Sequence, residues 1–585
     1  MARVTPFAIL LGLSLQATAL PDAPADSCPR GLIAAVVVNN PSIFTERDST
    51  ANRRLSWLSR AANAVHFKTR ESVIRREILF APGDCFDPLR VTESERLLRG
   101  FNGLSRVSIT DSILPDSAHR LTVETHDEWS TRVDIRLSSR SVGARITEDN
   151  FFGTGQAIGV FYVESDVARD YGVSFFTPQL LGTRWNLQSD VGRSRAGTIV
   201  REAISYPWVG EVSHWASIQT FVRVDRFFDY IGADDPELHG PRYFLPLRDQ
   251  SFDLAVVRRF GPTGNTTMLG FALGYQRLSY PGELQYAPTG NIDERVPADS
   301  ASAAIVSAQH AVRNNIRAYA LVGHRTVRWV RRRGMDSMHG QEDVRLGAEI
   351  GLGFGHSISS LERDNDVYST LSMYTGTEVG DALVIAKFRG DGLRSLSGRI
   401  DEDEWQDLYA ESEVLGYYRP GGTEHHLLFL RLAGISASRT ETPFQLTLGG
   451  ERGLRGYDIE RFPGGKRAVF NLEDRMYFGW PKAFDLGATL FMDAGRIWSG
   501  DVPFGIDSGW RGSAGAGLRL SFPAGSRTIY RVDFAWPLER GVRPGDFRLQ
   551  VSLGEPLGMN PRVPDVQLSR SRPQGAAGQF FPSSR

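Results

Sequence analysis

The residues best suited to chemistry in this 585-residue chain are few and poorly grouped. Gly351-Leu352-Gly353-Phe354-Gly355 has the spacing of a phosphate-cradling loop, but its glycines share one face of an alternating strand and no helix follows. His425 and His426 are adjacent, so a strand points them to opposite sides and they do not converge on one metal. Gly-x-Ser-x-Gly, His-Glu-x-x-His and paired-cysteine motifs are absent from the sequence. Arg331-Arg332-Arg333 reads as a solvated loop or a rim facing lipopolysaccharide. Cys28 and Cys85 are the only cysteines; they permit one internal disulfide or stand as two free thiols, and the pair alone is not a metal site. No catalytic residue, metal or cofactor is expected, and the chain does not read as an enzyme.

Composition narrows the classes further. Lys and Arg number 67 against 68 Asp and Glu, a net charge of −1 without the basic excess of a nucleic-acid binder. Mean hydropathy is −0.25, and beyond the first 20 residues the longest apolar run is Leu32 to Val38. A spanning helix needs about 20 apolar residues, so a helical membrane protein is excluded, whereas alternating barrel strands escape hydropathy averaging. Residues 1–19 read as an export signal, with Arg3, an apolar stretch from Phe7 to Leu15 and the small-residue site Ala17-Thr18-Ala19.

Two regions of different periodicity follow. Residues 31–128 mix strands (Ile33–Val38, Leu104–Thr110, Arg120–Thr125) with helical spacing over Asn52–Val65 and Thr69–Phe80. Thr92 and Glu95 are placed as a capping box ahead of Leu97 and Leu98, giving one small α/β domain. From Trp129 the period becomes two: Val344, Leu346, Ala348, Ile350, Leu352 and Phe354 alternate with small or polar residues. Leu486, Ala488, Leu490 and Met492 do likewise against Asp485, Gly487, Thr489 and Asp493. Residues 129–553 show no clear helical segment. At about 26 residues per strand and connection they predict an all-β transmembrane barrel of about 16 strands. A soluble propeller lacks support, because no 40–50-residue repeat is present. Residues 554–585, rich in Pro, Ser, Arg, Gly and Gln, predict a disordered C-terminal tail in the periplasm.

Specific motifs then converge. Gly449-Gly450-Glu451-Arg452-Gly453-Leu454-Arg455-Gly456-Tyr457 resembles the Arg-Gly-Tyr/Phe loop of the BamA/TamA superfamily (the bacterial surface antigen family). Asn471, Glu473 and Arg475 resemble its Asn-x-Glu-x-Arg strand, and Phe491-Met492-Asp493-Ala494-Gly495-Arg496-Ile497-Trp498 its Phe-x-Asp-x-Gly-x-x-Trp strand. Arg531 to Leu538 is similar to the penultimate strand and Glu148 to Gly155 to the first barrel hairpin. Phe80 to Asp84 leading to Leu97, Leu98 and Val107 resembles a POTRA domain.

The resemblance implies a single periplasmic POTRA domain before an outer-membrane barrel. The Arg455-Gly456-Tyr457 tip folds into the lumen and pairs Arg455 with Asp493; Gly456 supplies a sharp turn. Asp493 falls on the polar face of its strand by alternation alone, while Asp474 falls on the apolar face and belongs near a rim. In the family, the first strand (Trp129 to Ile146) meets the last (Phe547 to Leu553) at a seam. The POTRA edge, placed within Arg120 to Glu128, captures extended clients by strand addition. The implied role is assisting assembly and insertion of other outer-membrane proteins; the alternatives are a two-partner polypeptide transporter and a passive pore. Implied partners are the outer-membrane bilayer, unfolded barrel clients, and periplasmic chaperones or an inner-membrane or periplasmic accessory, without nucleic acid.

Overall fold

A computed structural model describes residues 28–41, 43, 63–64, 66–101, 103–138, 141–232, 241–358, 365–396, 405–450, 453–478, 484–539, 541–555, 557–559 and 580. The expected export signal and nearly all of the helix expected over Asn52–Val65 lie outside these residues.

The first unit runs β1 (Ile33–Asn39), α1 (Glu71–Glu77), α2 (Pro88–Gly100), β2 (Leu104–Ile113) and β3 (His119–Asp127). Val73 and Ile74 of α1 and Leu98 of α2 pack on Ile33, Val36, Leu121 and Val123 of the sheet. The cap of α2 is Asp87, whose carboxylate accepts from the Leu89 amide at 2.9 Å, with Pro88 at the first helical position, where a missing amide donor costs nothing. Thr92 is therefore inside the helix, not at its start, and its hydroxyl donates to the Pro88 carbonyl at 2.9 Å. A disulfide joins Cys28 to Cys85, their Cα atoms 5.3 Å apart. The sheet order is β1-β3-β2, with β1 parallel and β2 antiparallel to β3. This corrects the edge placed within Arg120 to Glu128: β3 is central, Leu121 pairing with Val36 on one side and Asp111 on the other.

Among the described residues, twenty long antiparallel strands form a closed barrel from Thr131–Ser138 to Arg548–Leu553, and a short hairpin, Gln285–Ala287 with Val296–Pro297, extends it at one edge. The expected sixteen was too few because the connections are short; strand and connection together average about 21 residues, still an even-numbered barrel. The stretch Trp129 to Ile146 is accordingly no single strand but holds the strand Thr131–Ser138 and most of Ser141–Phe151, and Glu148 to Gly155 turns between the second and third strands. From Ala348 onward the alternation resolves as expected: Ile350, Leu352 and Phe354 face outward and are exposed, while Gly351, Gly353 and Gly355 face in. Val344 and Leu346, expected on the same face as Ile350, are instead buried in the cluster that holds Leu557 and Met559, the alternation breaking at Gly347, where φ is +113°. Among the described residues, one α-helix, Ser300–Ser307, interrupts the β region in a connection.

The small unit lies across one mouth of the barrel. Asn150 donates to the Phe67 carbonyl at 2.9 Å, Gln179 to that of Val73 at 3.1 Å, and Glu93 accepts from the Glu211 amide at 2.8 Å. Arg99 holds Asp343 through two bonds of 2.9 and 2.8 Å. Glu128 accepts from Ser526, Arg527 and Thr528 at 2.5, 3.1 and 3.2 Å. The basic run sits here too: Arg331 donates to Glu95 of α2 at 2.7 Å, so it faces the small unit and is neither a free loop nor a far rim.

The segment after the last strand departs most from expectation. Glu555, Leu557 and Met559 are buried inside the barrel, and Phe580 packs on Trp208, Val257 and Met268. These residues are not a solvated tail; apolar and ionic partners on the inner wall hold them. The rest of 554–585 lies outside the described residues, apart from Gly554 and Gly558.

Candidate functional site

The connection between strands His426–Ser438 and Lys466–Phe478 leaves the far mouth and folds back into the lumen. Its base is a two-stranded sheet, Leu446–Leu448 against Phe462–Gly464. Phe444, Leu446, Leu448, Leu454 and Phe462 are buried against Ile435, Val469 and Ile497 of the wall, so apolar burial helps fix the loop alongside its charged contacts. Glu451 and Arg452 lie outside the described residues.

At the tip, Arg455 grips Asp493 as a fork: Nε to Oδ2 at 2.9 Å and Nη2 to Oδ1 at 2.7 Å, with the Arg455 amide adding 3.2 Å to Oδ2. Guanidinium suits this because its planar donors match a carboxylate and it keeps its charge when shielded. The same group lies 3.5 Å over the Phe491 ring. Asn471 donates to Asp493 at 2.8 Å and to the Gly453 carbonyl at 3.1 Å, holding loop and acceptor in register.

Glu473 is the hub of the lumen charges. One oxygen accepts from Arg455 at 2.6 Å and Arg531 at 3.3 Å; the other accepts from Arg475 at 2.8 Å and Arg519 at 3.0 Å. Asp533 accepts from Arg531 at 2.7 Å, and Glu555 from Arg519 at 2.6 Å and from Arg531. Four guanidinium groups thus face four carboxylates (Glu473, Asp493, Asp533, Glu555) in a site almost wholly shielded from solvent. Such a cluster persists only when its charges are paired and hydrogen-bonded.

The turn expected at Gly456 is present, the Tyr457 amide donating to the Leu454 carbonyl at 3.2 Å, and close approach adds a second demand for glycine: a Cβ would lie 2.7 Å from the Pro537 nitrogen and 2.8 Å from the Ser513 side chain. Tyr457 donates to the Gly512 carbonyl at 3.2 Å and Glu539 at 2.9 Å. Asp474 faces outward near the mouth under the small unit, beside His426 at 3.2 Å, while His425 meets the Tyr477 carbonyl at 3.2 Å. Among the described residues no cluster of His, Cys, Asp or Glu is suited to a metal.

The resemblance pairs Arg455 with Asp493 as a latch and sets Asn471, Glu473 and Arg475 apart as a luminal strand motif; the structure brings all five together in one cluster. Sequence reasoning missed Arg519, Arg531, Asp533 and Glu555. The first three were legible as charges on the polar faces of alternating strands; Glu555 carried no signal, lying past the last strand.

A barrel with an outward apolar surface and an ion-paired loop inside is a transmembrane β-barrel. Residues 428–556 match the Omp85 superfamily domain, the span that holds Arg455, Glu473 and Asp493. Over 216 residues, 33% of this chain, the sequence is 26% identical to a Treponema pallidum (strain Nichols) protein provisionally named an outer membrane protein assembly factor; the match spans a quarter (25%) of that protein's length. Solved structures with similarity include BamA from Haemophilus ducreyi lacking POTRA domains 1–3 (12% identity, 89% of this chain and 84% of that one, TM-score 0.35). CdiB from Escherichia coli is another (12% identity, 92% and 93%, TM-score 0.41). The chain is thus an outer-membrane β-barrel whose residues 428–556 carry the match to the Omp85 superfamily domain.

Proposed function

We propose that this protein assists assembly and insertion of other outer-membrane proteins. The observation that carries the reading is the reach of one tripeptide. Arg455 contacts Glu473 and Asp493, Gly456 abuts Ser513 and Pro537, Tyr457 reaches Gly512, and the Arg455 carbonyl accepts from Gln550 on the last strand at 3.2 Å. A single loop tip therefore braces five consecutive strands ending at the seam. Arg455–Asp493 is the latch of that brace, with Asn471, Glu473 and Arg475 as its luminal support.

Seam opening exposes unpaired backbone groups that template a client strand, and the cost of unpaired groups in lipid makes such templating the route of entry. The seam strand Arg548–Leu553 has six residues, fewer than any other of the twenty long strands described, so few ladder bonds hold it. The small unit is a single POTRA domain in the periplasm; the β-α-α-β-β order supports this, and β2, paired only with β3 among the described residues, is its client-capturing edge. Unfolded barrel clients are the partners.

A second reading, secretion of a polypeptide through the lumen, is favoured by chain segments occupying that lumen. Purified protein in outer-membrane-lipid vesicles decides between them. The assembly reading expects faster folding of an unfolded barrel client, lost in Arg455→Ala; no acceleration, with steady conductance, favours secretion or a pore.

A further inference from the structure

The segment entering the lumen after the last strand is seated, not merely enclosed. Glu555 is held by Arg519 and Arg531, with Arg475 at 3.4 Å. The Met559 amide donates to Asp336 at 2.6 Å, and Lys387 donates to the Met559 carbonyl at 2.7 Å, so both backbone groups of one residue are met by opposite charges. Between them Gly558 lies against the Asp336 carboxylate so closely that a Cβ would overlap it. Leu557 (1% exposed) and Met559 (8%) share an apolar cluster with Met338, Leu415, Leu427 and Phe429 of the inner wall and the turn Gly334–Gly340. Asp336 is itself positioned by the Tyr417 hydroxyl at 2.8 Å. A carboxylate clamp, a backbone clamp, a glycine slot and an apolar floor together are what a site needs to recognise a short peptide segment.

We infer that the inner wall carries a polypeptide-binding seat which the chain's own Glu555–Met559 segment occupies in cis. Its ligand class is a short peptide that bends at its glycine, with a carboxylate followed, two and four residues later, by apolar side chains flanking that glycine. The seat stands independently of what the barrel assembles or exports. A tethered occupant competes at high effective concentration, so an added peptide binds only when the tether's occupant is unseated.

The test uses full-length protein in detergent micelles and a fluorescently labelled synthetic peptide of residues 554–562, read by anisotropy. Leu557→Asp with Met559→Asp unseats the occupant and is expected to raise peptide affinity at least tenfold over the unsubstituted chain. A peptide carrying Gly558→Val is expected to bind at least tenfold more weakly. Folding is checked by heat-modifiability; if the double variant does not fold, Gly558→Val in the full chain serves instead. Equal peptide binding to both proteins, no binding to the unseated one, or equal binding of the Gly558→Val peptide overturns the inference.

Discussion

Asp458 and Arg548 form an ion pair at 2.7 Å, joining the tip of the inward loop to the strand at the barrel seam. Two residues further along the strand, Gln550 donates to the Arg455 carbonyl at 3.2 Å. The loop that ionic contacts pin to Asp493 thus also clasps the element that must move if the seam opens.

Weakening that clasp is expected to loosen the seam without dissolving the lumen cluster. Gln550→Ala removes a neutral hydrogen bond worth about 1 kcal/mol. A disulfide engineered between the first and last strands should then form faster than in the parent, whereas heat-modifiability of the whole barrel changes little.

Glu473 is a different matter. Glu473→Gln leaves four guanidinium groups around a neutral amide, and breaking a buried ion cluster by removing one partner costs about 3–5 kcal/mol. The unfolding midpoint of the barrel in denaturant should fall accordingly. Because Asp493 pairs with Arg455, which keeps its bond to Glu473, whereas Glu473 serves four guanidinium groups, Asp493→Asn is expected to be milder than Glu473→Gln.

The small unit carries its own pH dependence. Burial opposes charge on His119, but the Asp111 carboxylate and the Arg30 carbonyl, at 2.9 and 2.7 Å from its two ring nitrogens, together hold its pKa above the ordinary value. The stabilising contribution is full below the unfolded-state value of about 6.5 and is lost as pH rises through the higher folded-state value. Hydrogen exchange in β3, measured on the full chain after correction for intrinsic rates, should show less protection at alkaline pH, and His119→Gln should abolish the difference.

Reducing the Cys28–Cys85 disulfide, or replacing both residues with serine, removes a cross-link spanning 57 residues of sequence. The loop-closure estimate is about 4 kcal/mol. Protease cleavage within residues 28–128 is expected to accelerate on reduction while the barrel keeps its heat-modifiability.

What the sequence determined by itself is local. The period of two is set by backbone geometry, so the inward direction of Asp493, Glu473 and Arg475 and the outward direction of Leu490 and Met492 were legible before any strand had a neighbour. The Arg-Gly-Tyr tip and its pairing with Asp493 were legible through the family resemblance of the motifs, with alternation adding that Asp493 points inward. Pairing between distant segments is not local, and only the tertiary structure decided it. The strand number, the central place of β3, the mouth-facing Arg331 and the luminal lodging of Glu555 each depend on which surfaces meet. Glu555 shows the physical reason most plainly: its segment looks soluble because its composition cannot bury a core of its own, yet Arg475, Arg519 and Arg531 from three separate strands give it partners that no window of sequence contains.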